Sequence, residues 1–218
     1  MIYKAFVFSD NEVEQLKAAD PTMKKLIALI GKIERHYTPD LFGALISSIV
    51  SQQLSNKAAE AIWNKFEAAV PGLAPESVLG LSQERLREIG LSNSKINYIK
   101  NIAEEVASGR LVLEDLNHRQ DEEITAQLLA IKGIGPWTVE MFLIFALGRR
   151  DVMSYGDLGI RKGISWLYQI PGILSKPDFD RIAARISPNG TLASLYLWEI
   201  GDQGLYRYNN VFEAITGK

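Results

Sequence analysis

The feature that most narrows the folds open to this chain is the run "LLAIKGIGPWTVEMFLIFAL", residues 128–147. Two apolar segments flank Lys132-Gly133-Ile134-Gly135, and a proline follows at once. Glycines two apart let the backbone adopt angles that side chains forbid, and let it come close to something outside the chain. Pro136 fits only the first turn of a following helix, because a later position would need the N–H that proline lacks. The run therefore reads as helix, tight turn, helix, with Ile134 at the tip placed to plug between the two.

The rest of the chain is punctuated in the same way. Asp20-Pro21 predicts an N-cap followed by a first-turn proline, opening "TMKKLIALIGKI". Thr38-Pro39-Asp40 repeats the device ahead of "LFGALISSIVSQQ". Ser55 is placed to cap "NKAAEAIWNKFEAAV", which ends at Pro71-Gly72, and Ser82 opens "QERLREI", with Gly90 just past its end. In "SKINYIKNIAEEVASG", Ile96, Ile99, Ile102, Ala103 and Val106 share one face, closed by Gly109. "DEEITAQLLAI" carries its acids in the first turn, where the helix dipole favours them. Later helices are read in "DLGIRKGISWLY", "DFDRIAARI" and "TLASLYLWEIGDQGLY". "IYKAFVFS" alternates only in part and reads equally as a short strand or as coil. The expectation is an all-α fold with short connections and no repeats.

Composition removes several kinds of chemistry. At 218 residues and 47% hydrophobic the chain has enough apolar surface for a sizeable core. With no cysteine it has no disulfide, no iron–sulfur cluster and no thiolate-held zinc. His36 and His118 lie far apart on polar stretches, so no triad or metal cluster is legible and both read as surface residues. No apolar run reaches the roughly 18 residues of a membrane span, and the first residues carry no basic start or cleavage site, so no signal peptide is read. A cytoplasmic monomer without a membrane partner is expected, associated with the nucleoid if the source is bacterial. The net charge of −2 and pI near 5.8 argue mildly against a whole-molecule pull toward nucleic acid, but leave room for a local basic face.

Two features carry chemistry. The first is the hairpin, where Gly133, Gly135 and the residues after them present N–H groups at a helix start, a ready site for an anion such as a DNA phosphate. A lone pair of glycines would read as a plain interhelical turn. The longer pattern of apolar-x-Gly-apolar-Gly-x-x-Thr-apolar, Ile131 to Val139 with Thr138 as its threonine, favours phosphate binding. The second is Asp157, which follows Gly156 and precedes "LGIRKGISWLY". It reads as an N-cap, and the positive end of a helix also favours an anion there, so both a capping and an electrostatic role are open. Asp151 sits beside Arg149 and Arg150 and reads as a solvated ion pair, and Glu140 is a weaker candidate for lining a cleft.

These segments together resemble the helix–hairpin–helix superfamily of DNA glycosylases, and within it the branch acting on alkylated purines of the 3-methyladenine type. The carriers are "SSIVSQQLSNKAAEAI", "LREIGLSNSKINYIKNIA", "LLAIKGIGPWTVEMFLIFALG", "GDLGIRKGI" and "LASLYLWE", five segments in family order spanning about Leu26 to Glu199. The resemblance implies a two-lobed helical fold with a cleft between the lobes. Residues 41–149 would form a helical bundle ending in the hairpin, and 1–40 with 150–218 a second helical lobe carrying the catalytic Asp157. It implies a partner, double-stranded DNA holding damaged bases, and a reaction, base removal by hydrolysis with no cofactor required.

It also assigns residues. Trp137 stands where lyase members carry a Schiff-base lysine, which implies a monofunctional enzyme leaving an abasic site. Trp137 and Trp198 would flank the flipped base, with Met141 one turn on where some relatives have an aromatic; for Trp198 core packing is an equal reading. Gln53 matches the position of the side chain that fills the gap left in the duplex, against the plainer reading of a capping loop. Gly133, Gly135, Thr138, Ser94 and Lys95 would contact the DNA backbone, although a capped surface helix would look the same around Ser92, Ser94 and Lys95. The segment "SPNGTLAS" lacks the basic or aromatic cluster of some relatives. A structural Na+ or K+ would sit on backbone carbonyls of Leu129, Ile131 and Ile134. The alternatives are a glycosylase for deaminated or oxidised purines and a non-catalytic DNA-binding module.

Overall fold

The computed structural model describes residues 3–217. In chain order the elements are strand β1 (Lys4–Ala5), helices α1 (Asp10–Ala19) and α2 (Pro21–Ile30), strand β2 (His36–Tyr37), then α3 (Leu41–Ser51), α4 (Asn56–Ala69), α5 (Pro75–Leu79), α6 (Gln83–Ile89), α7 (Asn93–Ala107), α8 (Asp121–Leu129), α9 (Pro136–Phe145), α10 (Leu158–Leu167), α11 (Lys176–Ile186), α12 (Gly190–Asp202) and α13 (Val211–Thr216). Three short 3-10 turns lie between them. The fold is all-α; among the described residues the only sheet is the antiparallel pair β1–β2, two residues a side. No helix among the described residues is long and apolar enough to cross a membrane.

The caps behave as the residue types dictate. Asp20, Ser55, Ser82 and Ser92 each accept a backbone N–H from the first turn of the helix they open. At Thr38-Pro39-Asp40 the device differs from the expectation. Asp40 is the cap of α3, accepting from Gly43 N–H at 2.9 Å, and Pro39 stays outside the helix. Helix α1 has too thin an apolar face to show as a period in the sequence: only Leu16 is fully buried, and the Ser9–Glu12 capping box starts it. Helices α5 and α13 are too short for periodicity to register.

The chain divides into two compact units. One takes in Thr38–Leu147, the other Lys4–Tyr37 with Gly148–Lys218. In the first, α3 is apolar on nearly every side and belongs in a core: Leu41, Phe42, Leu45, Ile46, Ile49 and Val50 are all buried. It packs against α4, α7 and α9, and α9 likewise buries Val139, Met141, Phe142, Leu143 and Ile144. In the second unit α10 and α12 form the central pair, with α2 and α11 packed on α12 and a shared core of Met23, Leu26, Ile160, Ile164, Ile186 and Leu197. Gly163 faces the Leu197 carbonyl, where a Cβ would sit only 3.0 Å away, so this position sets how closely the two helices approach.

Candidate active site and nucleic-acid interface

Asp157 is the N-cap of α10. Its Oδ1 accepts the Ile160 N–H at 2.8 Å and the indole N–H of Trp198 at 3.0 Å. Both bonds fall on one oxygen, so Oδ1 is pinned between a helix start and an aromatic ring from α12. Trp198 is half-buried against the core of its unit, so it packs there and donates to the carboxylate at the same time. Gly159 makes the arrangement feasible. A Cβ there would lie 2.9 Å from Trp198 Cδ1, closer than real contacts allow, and a tight 3.1 Å from Asp157 Oδ1. The Tyr206 phenol is pushed up from its usual range, first by burial and then by the negative charge of Asp157 and of Asp202. A groove of about 490 Å³ along α10 is lined by Leu158, Arg161, Lys162, Trp166, Ile173 and Tyr206 among others, but not by Asp157.

Asp151 is not paired with its neighbouring arginines as expected. It caps the start of α12, accepting from Gly190 N–H at 2.9 Å and from the Ser187 hydroxyl. Arg150 instead reaches Glu12 at 2.6 Å and lies over the Phe8 ring.

The hairpin lies in the other unit. Gly133 has φ +104°, and a Cβ on it would overlap Tyr98, whose Cγ would be 2.3 Å away. Conformation and space both exclude a side chain. Gly135 differs: its φ is −106°, an ordinary value, and an added Cβ would meet nothing within 4 Å. The protein itself does not need a glycine there. Gly135 is the N-cap of α9 and offers no side chain to cap it, with Pro136 at the first position and Trp137, half-buried, at the second. Ile134 is buried at the tip, and its N–H closes the turn onto the Ile131 carbonyl at 3.1 Å. Leu129 is 42% exposed and Ile131 buried.

Thr138 and Met141 are both buried. The Thr138 hydroxyl faces inward, where it accepts from the Gln52 side-chain amide at 3.1 Å, so the DNA contact expected at this position is open to its backbone N–H and not to its hydroxyl. Lys95 is corrected in the same way. Its ammonium donates to the carbonyls of Val50 at 2.7 Å and Gln52 at 2.9 Å, at the end of α3. Burial lowers its pKa from the usual lysine range. Ser94 is exposed in the first turn of α7, while Ser92 is spent on capping that helix. Gln53 is exposed and sits in the left-handed region, φ +58°, a conformation that costs a non-glycine residue about 1–2 kcal/mol.

Residues 46–188 match the model of the HhH-GPD superfamily base excision DNA repair proteins. The chain belongs to the HhH-GPD superfamily. It is 37% identical over 191 residues to the DNA-3-methyladenine glycosylase 1 of Schizosaccharomyces pombe, covering 84% of each chain. Its fold superposes on the DNA-3-methyladenine glycosidase of Bacillus halodurans with a TM-score of 0.83 at 38% identity, over 98% of this chain and 99% of the other. The S. pombe 3-methyladenine DNA glycosylase in complex with abasic DNA gives 0.80 at 36% identity, over 89% of this chain and 97% of that one.

Within this HhH-GPD chain the sequence reading missed three positions around the candidate residues. Gly159 was detectable as a small residue two places after Asp157. Gln52 was visible as the twin of Gln53, but nothing local said which of the pair points inward. Tyr98 shows in the sequence only as an aromatic on the less apolar side of α7, and its contact with Gly133 is a product of the fold.

Proposed function

We propose that this HhH-GPD protein is a monofunctional DNA glycosylase that removes alkylated purines from double-stranded DNA. The observation that carries the reading is Asp157, a carboxylate fixed through one oxygen by a helix N-terminus and the Trp198 indole. Cleavage of an N-glycosidic bond builds positive charge on C1′ of the sugar, and a fixed carboxylate stabilises that charge electrostatically. Water then adds to C1′ and gives up a proton, for which Asp157 is the acceptor. A purine methylated at N3 or N7 is already cationic and departs neutral, so the reaction needs no general acid. The names of the relatives, 3-methyladenine glycosylases, support the same substrate class.

Trp137 stands two residues after Gly135, where a lyase would need a lysine, and its ring suits stacking on an electron-poor base. Base removal should therefore leave the strand intact at an abasic site. Gly135 supports the DNA reading: a glycine facing open space at a helix start leaves room for a phosphate on the backbone N–H groups. The carbonyls of Leu129, Ile131 and Ile134 are hard oxygen donors of the kind a monovalent cation takes, and one bound there would rigidify the turn.

The test is release of free base from DNA methylated with dimethyl sulfate, followed by chromatography. Wild type should liberate 3-methyladenine or 7-methylguanine, strands should nick only after alkali, and Asp157→Asn should slow release by roughly 10²–10³-fold or more. Normal rates in Asp157→Asn, or borohydride-trapped enzyme–DNA adducts, would rule the reading out.

A further inference from the structure

Helix α3 ends at Ser51 with Gln52 as its C-cap, which makes Gln53 the next position. That position commonly takes the left-handed conformation, and glycine is its usual occupant because no side chain is strained there. Here the conformation is kept, φ +58°, but the residue is a glutamine with its side chain in solvent. A strained, exposed side chain at a position that glycine fills without strain points to a use for the side chain, and something must hold it there.

Two groups do so. The Lys95 ammonium, reaching from the first turn of α7, takes the carbonyls of Val50 and Gln52. The Gln52 amide, pointing the other way, donates to the Thr138 hydroxyl at 3.1 Å and more weakly to the Gly133 carbonyl at 3.4 Å. The residue before Gln53 is thus clamped by main chain and side chain at once, to α7 and to the hairpin.

We infer that Lys95 and Gln52 are positioning residues, which fix Gln53 for insertion into the duplex and tie the inserting loop to the hairpin that grips the backbone. The inference rests on the glycosylase reading. A flipped nucleotide leaves a gap that an inserted side chain fills. A loop already ordered for insertion avoids the ordering cost at that step. Ser94, one residue before Lys95 in the same turn, takes no part in the clamp.

The experiment uses a duplex with a tetrahydrofuran abasic analogue and 2-aminopurine opposite it. The fluorescence change at saturating protein reports whether a side chain has entered the gap. Wild type should bind this duplex in preference to an intact one and change the signal, and Gln53→Ala should lose most of the change. Lys95→Met and Gln52→Leu should each bind yet lose roughly half or more of the saturating amplitude, because the gap-filling side chain is no longer held in place. Circular dichroism melts establish that each variant is folded, and if Lys95→Met is not, Gln52→Leu decides alone. Wild-type amplitude in folded Lys95→Met and Gln52→Leu overturns the positioning role, as does wild-type amplitude in Gln53→Ala. A wild-type protein that does not prefer the abasic duplex sinks the glycosylase reading, and this inference with it.

Discussion

At the scale of single residues, the two hairpin glycines separate structural need from functional need. Gly133 is bounded by a positive φ and by the Tyr98 ring, so Gly133→Ala must either strain the turn or displace Tyr98. A loss of about 2 kcal/mol or more is expected, read from the urea midpoint. Gly135→Ala meets nothing in the protein. It should lower stability by about 1 kcal/mol or less, the difference between glycine and alanine at an N-cap, while weakening DNA binding, measured by fluorescence anisotropy. Equal effects of the two substitutions on stability would show that Gly135 serves the fold rather than a ligand. Asp157→Asn belongs to the same scale: asparagine caps a helix about as well as aspartate, so its loss of activity should come without loss of fold.

At the scale of elements, the cap of α2 carries more than a helix. Asp20 is fully buried, accepts the N–H groups of Thr22 and Met23 on one oxygen, and takes the Tyr168 hydroxyl at 2.8 Å and the Arg185 guanidinium on the other. The phenol is pushed far above its usual range, first by burial and then by the Asp20 charge. Tyr168→Phe removes one hydrogen bond to a buried anion and should cost about 1.5–3 kcal/mol. Asp20→Ala strips the cap and the charged partner of the Tyr168 hydroxyl while leaving Arg185 partly exposed to solvent, and should cost about 2–4 kcal/mol. Thermal melts rank the two, and a smaller loss for Asp20→Ala would refute this account. The sequence announced the cap through Asp20-Pro21, but gave no sign of Tyr168 or Arg185, which lie 148 and 165 residues further along.

At the scale of the whole molecule, charge is distributed unevenly along the chain. Residues 38–147 hold 9 lysines and arginines against 14 acidic residues, while the rest of the chain holds 15 against 12. A net charge of −2 therefore divides into +3 for the part that carries Asp157 and −5 for the part that carries the hairpin, so a phosphate at the hairpin would be held by backbone N–H groups rather than by side-chain charge. The Glu12–Arg150 pair is part of that basic unit. Burial alone would raise the Glu12 pKa, but Ser9 and Arg150 outweigh it and the net shift is downward. A lowered carboxylate pKa contributes stability above the unfolded value, about 4.3 for glutamate, and loses it as pH falls through the folded value. Stability should thus be flat in this respect above about pH 5 and decline in acid, and Glu12→Gln should flatten part of that decline in urea midpoints collected against pH.

The sequence by itself determined the helical elements and the chemistry at their ends. Caps, breakers and period are local properties, and the hairpin glycines and the capping Asp157 could be read from residues within a turn or two of each, whereas Gln53 and Trp137 are singled out only by the family resemblance. Tertiary structure alone decided what those residues touch. Lys95 and Thr138, read from the chain as DNA contacts, turn inward because α7 and α9 pack against α3. Trp198 reaches the Asp157 carboxylate from 41 positions away because Gly159 leaves room for its ring. A hydrogen bond between distant segments has no periodicity and no local composition to betray it, so it becomes visible only when packing has brought the two helices together.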